Sequence, residues 1–195
     1  MTSVTSTLRQ AWVGLRLLLV MTVLLGVIYP LGVFVVGRVA PGSADGSFVT
    51  AADGAVVGSA LIGQQFDGAE WFHPRPSAAG EGYDPLASGG TNLGPENPDL
   101  IAAVAERIAA VAEENGVDPS MVPADAVTAS GSGLDPDISP EYAAIQVQRV
   151  AAARGLAVAE VEALVADSTN GRILGFLGEP RVNVLTLNLA LSELR

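Results

Sequence analysis

The feature that most constrains this chain is an uncharged apolar segment of 21 residues, from residue 17 to residue 37. As an α-helix rising 1.5 Å per residue, it would reach about 30 Å, the thickness of the hydrocarbon core of a bilayer. Backbone groups in lipid have to pair within the segment, so we expect a transmembrane helix that begins at Leu17 and ends at Gly37. Inside it, Pro30 leaves a carbonyl one turn earlier without its donor, which predicts a kink near Gly26.

The main alternative for this segment is a cleaved signal peptide, whose apolar region spans about 7–15 residues and ends in a small-residue cleavage site. The segment here is longer, and a cut after Ala40 would place Arg38 at position −3. We therefore predict a retained anchor. Arg9 and Arg16 precede it without any acidic residue, so the positive-inside rule predicts a cytoplasmic N-terminal tail over residues 1–16 and an extracytoplasmic domain after the anchor.

Charge divides the chain at the end of the apolar segment. All 10 basic residues are arginine, and beyond residue 38 seven of them oppose 21 Asp and Glu, which gives this part a net charge of −14. Such a domain repels phosphate backbones and anionic headgroups, which argues against nucleic-acid binding. The chain has no cysteine, so neither disulfides nor thiolate metal sites are available to it.

Beyond the anchor we expect a linker over 38–47 and an α+β domain over 48–195, with a small sheet at its start and at least three helices. Residues 48–66 alternate like two strands joined at Asp53-Gly54, a dipeptide that favours a type I′ hairpin turn. Residues 67–96 are rich in Gly, Pro and Ser, and they predict a long loop that serves as a binding surface.

Capping residues mark the predicted helices. The first follows the N-cap Asn97 and ends at Gly116, and the second follows the N-cap Ser139 and ends at Gly155. A third is predicted over 158–166. The tail 182–191 alternates like a strand, but its apolar run continues, and we favour a helix. One face of the first helix is apolar, with Leu100, Val104, Ile108 and Val111.

Residues that usually carry catalysis or bind metal are sparse. His73 is the one histidine, and no Gly-x-Ser-x-Gly nucleophile elbow is present, so Ser–His catalysis and a zinc site are disfavoured. The glycine spacing of residues 89–94 suits a phosphate-binding loop, but no lysine follows it. Pro140 occupies the position where a calcium loop formed by the nearby acids would need glycine. This pattern favours a docking subunit over an enzyme.

Six segments, read in order along the chain, together resemble one family. They are GVIYPL (26–31), ALIGQQF (60–66), WFHPRPSAAG (71–80), ASGGTNLGPENPDL (87–100), TASGSGLDPDISPEYAAIQVQRVAAARGL (128–156) and LGEPRVNVLTLNLAL (177–191). Over nearly its whole length the chain resembles the C subunit of the Kdp high-affinity potassium-transporting ATPase. It departs from the family pattern at Thr91, Glu96 and Asp137, and these departures leave the glycines and prolines that fix the backbone in place.

The resemblance implies an accessory, non-pumping subunit of an ATP-driven potassium uptake complex in the cell membrane, without a cofactor of its own. Its partners would be a channel-like, potassium-selecting A subunit, a P-type ATPase B subunit and a small F subunit. The family is also described as a catalytic chaperone that raises the ATP affinity of the ATPase subunit. Gln146 matches the glutamine proposed to hold the nucleotide. Because ATP is cytoplasmic and the domain is predicted to lie outside, we favour an indirect effect.

The glycine-rich loops are the predicted interaction surface, unless their polar residues only satisfy backbone groups. Their residues are Arg75, Ser88, Gly89, Gly90, Asn92, Gly94, Ser130, Gly131, Gly133 and Asp135. The main alternative function is an anchored module that binds a small solute with the loop 74–96, and a third is an anchored hydrolase. From the charge of the domain we further hypothesise that it steers potassium electrostatically.

Overall fold

The computed structural model describes the backbone of residues 2–194 and the side chains of residues 4–194. The chain divides into two compact units, Met1–Ser47 and Phe48–Arg195.

The first unit is dominated by one long helix. Helix α1 (Thr2–Val23) continues through a π-helical turn (Leu24–Ile28) into α2 (Tyr29–Gly37). Its stretch Val4–Gly37, 34 residues, is long and apolar enough to span a membrane. The helix begins well before residue 17, and residues 2–16 contain no proline that would interrupt it. The short helix α3 (Pro41–Ala44) lies within the segment predicted as a linker.

The π-helical turn lies where Pro30 predicts a kink. Proline has no N–H to donate to the carbonyl of Gly26, and here the N–H of Tyr29 bonds the carbonyl of Leu24, five residues earlier. The helix therefore stays continuous through a locally wider turn. A Cβ placed on Gly26 or Gly32 would meet no described atom within 4 Å, which leaves room for a neighbouring helix.

Small antiparallel sheets form part of the second unit. Strand β1 (Phe48–Thr50) pairs with β2 (Val56–Ser59), which confirms the predicted hairpin. The predicted type I′ turn is wrong: residues 51–55 join the strands, and of Asp53 and Gly54 only Gly54 has a positive φ, +83°. The Asp53 carboxylate instead accepts a bond from the N–H of Ala55 at 2.9 Å, which holds the aspartate outside the left-handed region.

A second sheet has the order β3-β5-β4, with β5 (Arg181–Asn183) between β3 (Asp137–Ile138) and β4 (Thr169–Asn170). These strands have two or three residues each, too few to show alternation in the sequence. The tail that was ambiguous between strand and helix contains both, since β5 leads directly into α7 (Val184–Glu193).

The other helices confirm the capping pattern. Helices α4 (Pro98–Asn115) and α5 (Pro140–Arg154) each end at a left-handed glycine, and α6 (Val158–Asp167) follows. The N-caps of α4 and α5, Asn97 and Ser139, accept backbone N–H bonds at 2.8 and 2.9 Å.

The core of the second unit lies among α5, α6, α7 and β5. Its apolar side chains are mostly Val, Leu and Ala, as the low aromatic content predicts. Phe72, from the long loop, is 0% exposed within it. Gln146 and Asn188 are buried beside these apolar side chains at 0% and 1% exposure. Phe72 therefore anchors the loop after the hairpin in the core, where the buried amides of Gln146 and Asn188 can bond the loop's backbone.

Candidate functional site

Two buried side-chain amides hold the loop against α5 and α7. Asn188 accepts from the N–H of Phe72 and donates to its carbonyl, both at 2.9 Å. Gln146 accepts from the N–H of His73 at 2.6 Å and donates to its carbonyl at 3.1 Å. Each amide therefore satisfies both backbone groups of one loop residue, as a neighbouring strand would. We call these two pairs the amide clamp.

Arginines of α5 hold the residues that precede the amide clamp. Arg149 donates to the carbonyls of Ala69 and Trp71 at 2.8 and 2.9 Å, and to the Gln146 oxygen at 2.8 Å. Burial lowers the pKa of Arg149, while nearby carboxylates, Glu114 foremost, oppose that shift. The Arg154 guanidinium lies 4.3 Å from the centre of the Trp71 ring, within the range of a cation–π contact.

Arg75 joins the clamped loop to the second glycine-rich loop. It donates to the Asp135 carboxylate at 2.7 Å and to the Thr128 carbonyl at 3.2 Å. Its Nε is buried and finds no hydrogen-bond partner among the described residues. The hydroxyl of Tyr83 donates to the Arg75 carbonyl, and burial raises the pKa of Tyr83 above its usual value of 10.

The two glycine-rich loops lie side by side, joined through Ser132. The N–H of Gly89 and the hydroxyl of Ser88 both donate to its carbonyl, each at 2.9 Å. A Cβ on Gly90 would lie 3.2 Å from the carbonyl oxygen of Gly131, so the backbones touch there.

Gly133 is the tightest point of this contact. Its φ is +67°, and a Cβ there would lie 2.6 Å from the Ala79 nitrogen and 2.7 Å from the Gly89 oxygen. Ser77 donates to the Gly133 carbonyl at 2.6 Å. Backbone approach, and not only a turn, therefore requires glycine at this position.

The structure brings most of the predicted loop residues into one connected network. Asn92 and Gly94 lie at its exposed end, and Asn92 has a φ of +53°. Gln146 lies apart from this network, in the amide clamp. The connected residues are Arg75, Ser88, Gly89, Gly90, Ser130, Gly131, Gly133 and Asp135.

A groove of about 600 Å³ lies beside the clamped loop and is lined in part by Arg75, Tyr83, Arg107 and Tyr142. His73 borders it, with Nδ1 3.2 Å from the Glu114 carboxylate and Nε2 donating to the Gly68 carbonyl at 2.9 Å. Within the described residues, no group of three His, Asp or Glu side chains is placed to hold a metal ion.

The chain is similar to known proteins over nearly its full length. The family described as "KdpC: K+-transporting ATPase, c chain" matches residues 11–193. The chain belongs to the KdpC family. Curated relatives are named potassium-transporting ATPase KdpC subunit. The one from Kineococcus radiotolerans is 65% identical over 98% of this chain and 97% of its own length. Those from Beijerinckia indica and Mycobacterium bovis are 55% and 54% identical, each over 95% of this chain and over 92% and 99% of their own lengths.

Several residues that build this site are not among those predicted from the sequence. Asn188, Arg149 and Arg154 hold the clamped loop, yet only Asn188 left a signal, as an amide inside the apolar run of the tail. The run 182–191 contains two asparagines, Asn183 and Asn188. An amide in such a run needs a buried partner, and that rule would have marked both.

Asp137 predicts a pH dependence of the stability. Burial raises the pKa of its carboxyl above 3.8, and the bond from Asn183 and the Arg181 charge oppose this only in part. The folded state then binds this proton more tightly than the unfolded chain, so the stability it contributes is lost as pH rises above 3.8. We expect the free energy of unfolding of Asp137→Asn to fall less, or rise more, than that of the wild type as pH increases above 3.8.

Urea unfolding at several pH values measures this slope. Asp118→Asn is the control, because bonds from Ser120 lower the pKa of Asp118 and place its effect below 3.8. An unchanged slope in Asp137→Asn would contradict the assignment.

Proposed function

We propose that this KdpC-family chain is an accessory, non-pumping subunit of a high-affinity, ATP-driven potassium uptake complex. The observation that carries the proposal is the match of residues 11–193 to a family of potassium-transporting ATPase subunits. The subunit has no catalytic role alone and no cofactor of its own, and ATP and potassium act through the complex. Its helix anchors it in the cell membrane with the N-terminus in the cytoplasm, as the flanking arginines favour.

Its proposed partners are a channel-like potassium-binding subunit, a P-type ATPase subunit and a small third subunit. The test is a pull-down of the tagged chain from gently solubilised membranes of its host grown at low potassium. We expect stoichiometric recovery of the ATPase and channel-like subunits, with potassium-stimulated ATP hydrolysis. Recovery of the chain alone, while the partners are detectable in the same membranes, would overturn the proposal. It would favour a small-solute-binding module that uses the groove beside Tyr83 and Tyr142.

We further propose that any rise in the ATP affinity of the ATPase subunit is indirect. The Gln146 side chain is 0% exposed, and its amide is committed to the backbone of His73 and to Arg149. Contact with a nucleotide would require the amide clamp to open. The anchor and the assembled complex offer a route to the ATPase subunit that needs no such opening.

Replacement of Gln146 separates the two mechanisms. We expect Gln146→Ala to lower the free energy of unfolding by about 2–4 kcal/mol, because it removes the side-chain partner of both partly buried backbone groups of His73. Complexes that retain the variant should keep the wild-type KM for ATP. Gln148→Ala, exposed on the same helix, is the matched control for both measurements. A several-fold higher KM for ATP in intact complexes of Gln146→Ala alone would support direct contact instead.

A further inference from the structure

The connection between β4 and β5 carries a concentrated group of exposed apolar side chains. Ile173, Leu174, Phe176 and Leu177 are 58%, 79%, 69% and 49% exposed. Among the described residues from 48 onward, no other stretch of five consecutive residues has four large, exposed apolar side chains. We call residues 172–179 the apolar finger. A contiguous exposed apolar group on an otherwise acidic domain marks an interaction site.

The backbone of the apolar finger is held in one conformation. Ile173 and Leu177 exchange N–H···O bonds of 2.9 and 3.0 Å, and Arg172 and Glu179 form an ion pair at its base. At the tip, Leu174 and Gly175 have φ values of +54° and +81°, the combination that a type I′ turn requires.

Leu174 is an unfavourable residue for that turn. Glycine or asparagine adopts a positive φ more readily, and leucine there gains no burial in return, since it is 79% exposed. Residues held against their backbone preference cluster where function requires them. The side chain at the tip is therefore better explained by what it binds than by what it contributes to folding.

We propose that the apolar finger docks into an apolar socket on the extracytoplasmic surface of a partner protein subunit. The inference rests on the proposed function, because it takes the partner from the potassium uptake complex. A side chain presented on a rigid turn loses little freedom on binding, and buried aromatic and aliphatic anchors dominate interface energies.

Charge favours a protein over a lipid surface as the occupant. Loops that bind membranes combine apolar tips with basic residues and interfacial Trp or Tyr. The charged residues of the finger, Arg172 and Glu179, neutralise each other, and Trp and Tyr are absent from its sequence. Seven Arg against 21 acids beyond residue 38 give a net charge of −14, which repels anionic headgroups. An uncharged apolar socket on a protein would not repel the acidic domain in this way.

The test is the pull-down with variants of the finger in the full chain. Leu174→Asn combined with Phe176→Ser removes two apolar side chains while keeping a residue that tolerates the positive φ. We expect recovery of the ATPase subunit to fall about 10-fold or more. Ile101→Ser is the matched control, since Ile101 is 57% exposed on α4, outside the finger and the glycine-rich loops, and it should not change recovery. Wild-type recovery by the double variant overturns the inference.

A second variant guards against misfolding. Leu174→Gly relaxes the turn and deletes the side chain, so recovery should fall while the urea midpoint of the chain stays the same or rises. A fall in recovery that occurs only with a lower midpoint overturns the inference. If the wild-type chain itself recovers no ATPase subunit, the proposed function fails. If it does and the finger variants match it, only the finger inference fails.

Fluorescence distinguishes a lipid from a protein occupant. The chain has no cysteine, so Gly171→Cys offers a single site for an environment-sensitive label directly before the finger. A Cβ there would meet no described atom within 4 Å, and all four apolar side chains of the finger are kept. In vesicles of phosphatidylcholine and phosphatidylglycerol, the label should report water when the chain is alone and an apolar site when the partner subunits are present. An apolar signal in the partner-free vesicles overturns the inference in favour of the membrane.

Discussion

Replacing Gly133 by alanine should lower the free energy of unfolding by about 2–5 kcal/mol. The left-handed backbone, with a φ of +67°, costs an L-residue about 1–2 kcal/mol. The added methyl would lie 2.6 Å from the Ala79 nitrogen and 2.7 Å from the Gly89 oxygen. Both are backbone atoms, which cannot rotate away, so the two glycine-rich loops would have to separate.

Gly116→Ala is the matched control for this prediction. Gly116 has a similar φ of +63°, but a Cβ there would meet no described atom within 4 Å. Gly116→Ala should therefore lower the free energy of unfolding by about 1 kcal/mol, the cost of the left-handed backbone alone. Urea unfolding of the full chain in detergent, followed by Trp71 fluorescence in a Trp12→Phe background, measures both. Equal losses in the two variants would show that the loops are not packed as closely as described.

Asn188→Leu should be comparably destabilising, by about 2–6 kcal/mol. The amide of Asn188 holds both backbone groups of Phe72, a residue that is itself 0% exposed. Leucine fills a similar volume without any hydrogen-bonding atom, so the loss would report unsatisfied backbone groups rather than a cavity.

The control for Asn188 is another asparagine that bonds a backbone N–H at the surface. Asn97 caps α4 through a bond of 2.8 Å, and Asn97→Ala should lose about 1 kcal/mol. Hydrogen exchange at the Phe72 amide reports on this site alone. The exchange should become faster in Asn188→Leu and stay unchanged in Asn97→Ala. Unchanged exchange there would mean that the Phe72 N–H has another acceptor.

The helices were predictable because their determinants are local. Asn97, Ser139, Gly116 and Gly155 act on backbone groups within a few residues, so the sequence alone locates those boundaries. Long-range pairing left no such signal. Gln146 bonds a residue 73 positions away and Asn188 one 116 positions away, and periodicity says nothing about either.

Residue preferences for turns predicted a type I′ turn where none forms and missed the left-handed pair that does form. Asp53-Gly54 has the preferred type I′ sequence, yet a side-chain bond to Ala55 accompanies a longer connection there. The left-handed pair occurs instead at Leu174-Gly175, a dipeptide that residue preferences would pass over. The glycine-rich motifs were found, but their register against each other depends on Ser132, which lies inside a quoted motif but is not among the predicted loop residues.

The amide clamp also sets the order in which the domain can be completed during synthesis. Phe72 emerges early, but its partner Asn188 follows 116 residues later, so the loop waits for almost the entire domain to be synthesised. Contacts of such long sequence separation form slowly, and unfinished segments are exposed meanwhile to aggregation and proteolysis. With the domain outside the cytoplasm, as proposed above, the chain should therefore depend on extracytoplasmic chaperones until α7 supplies Asn188, the residue that closes the loop.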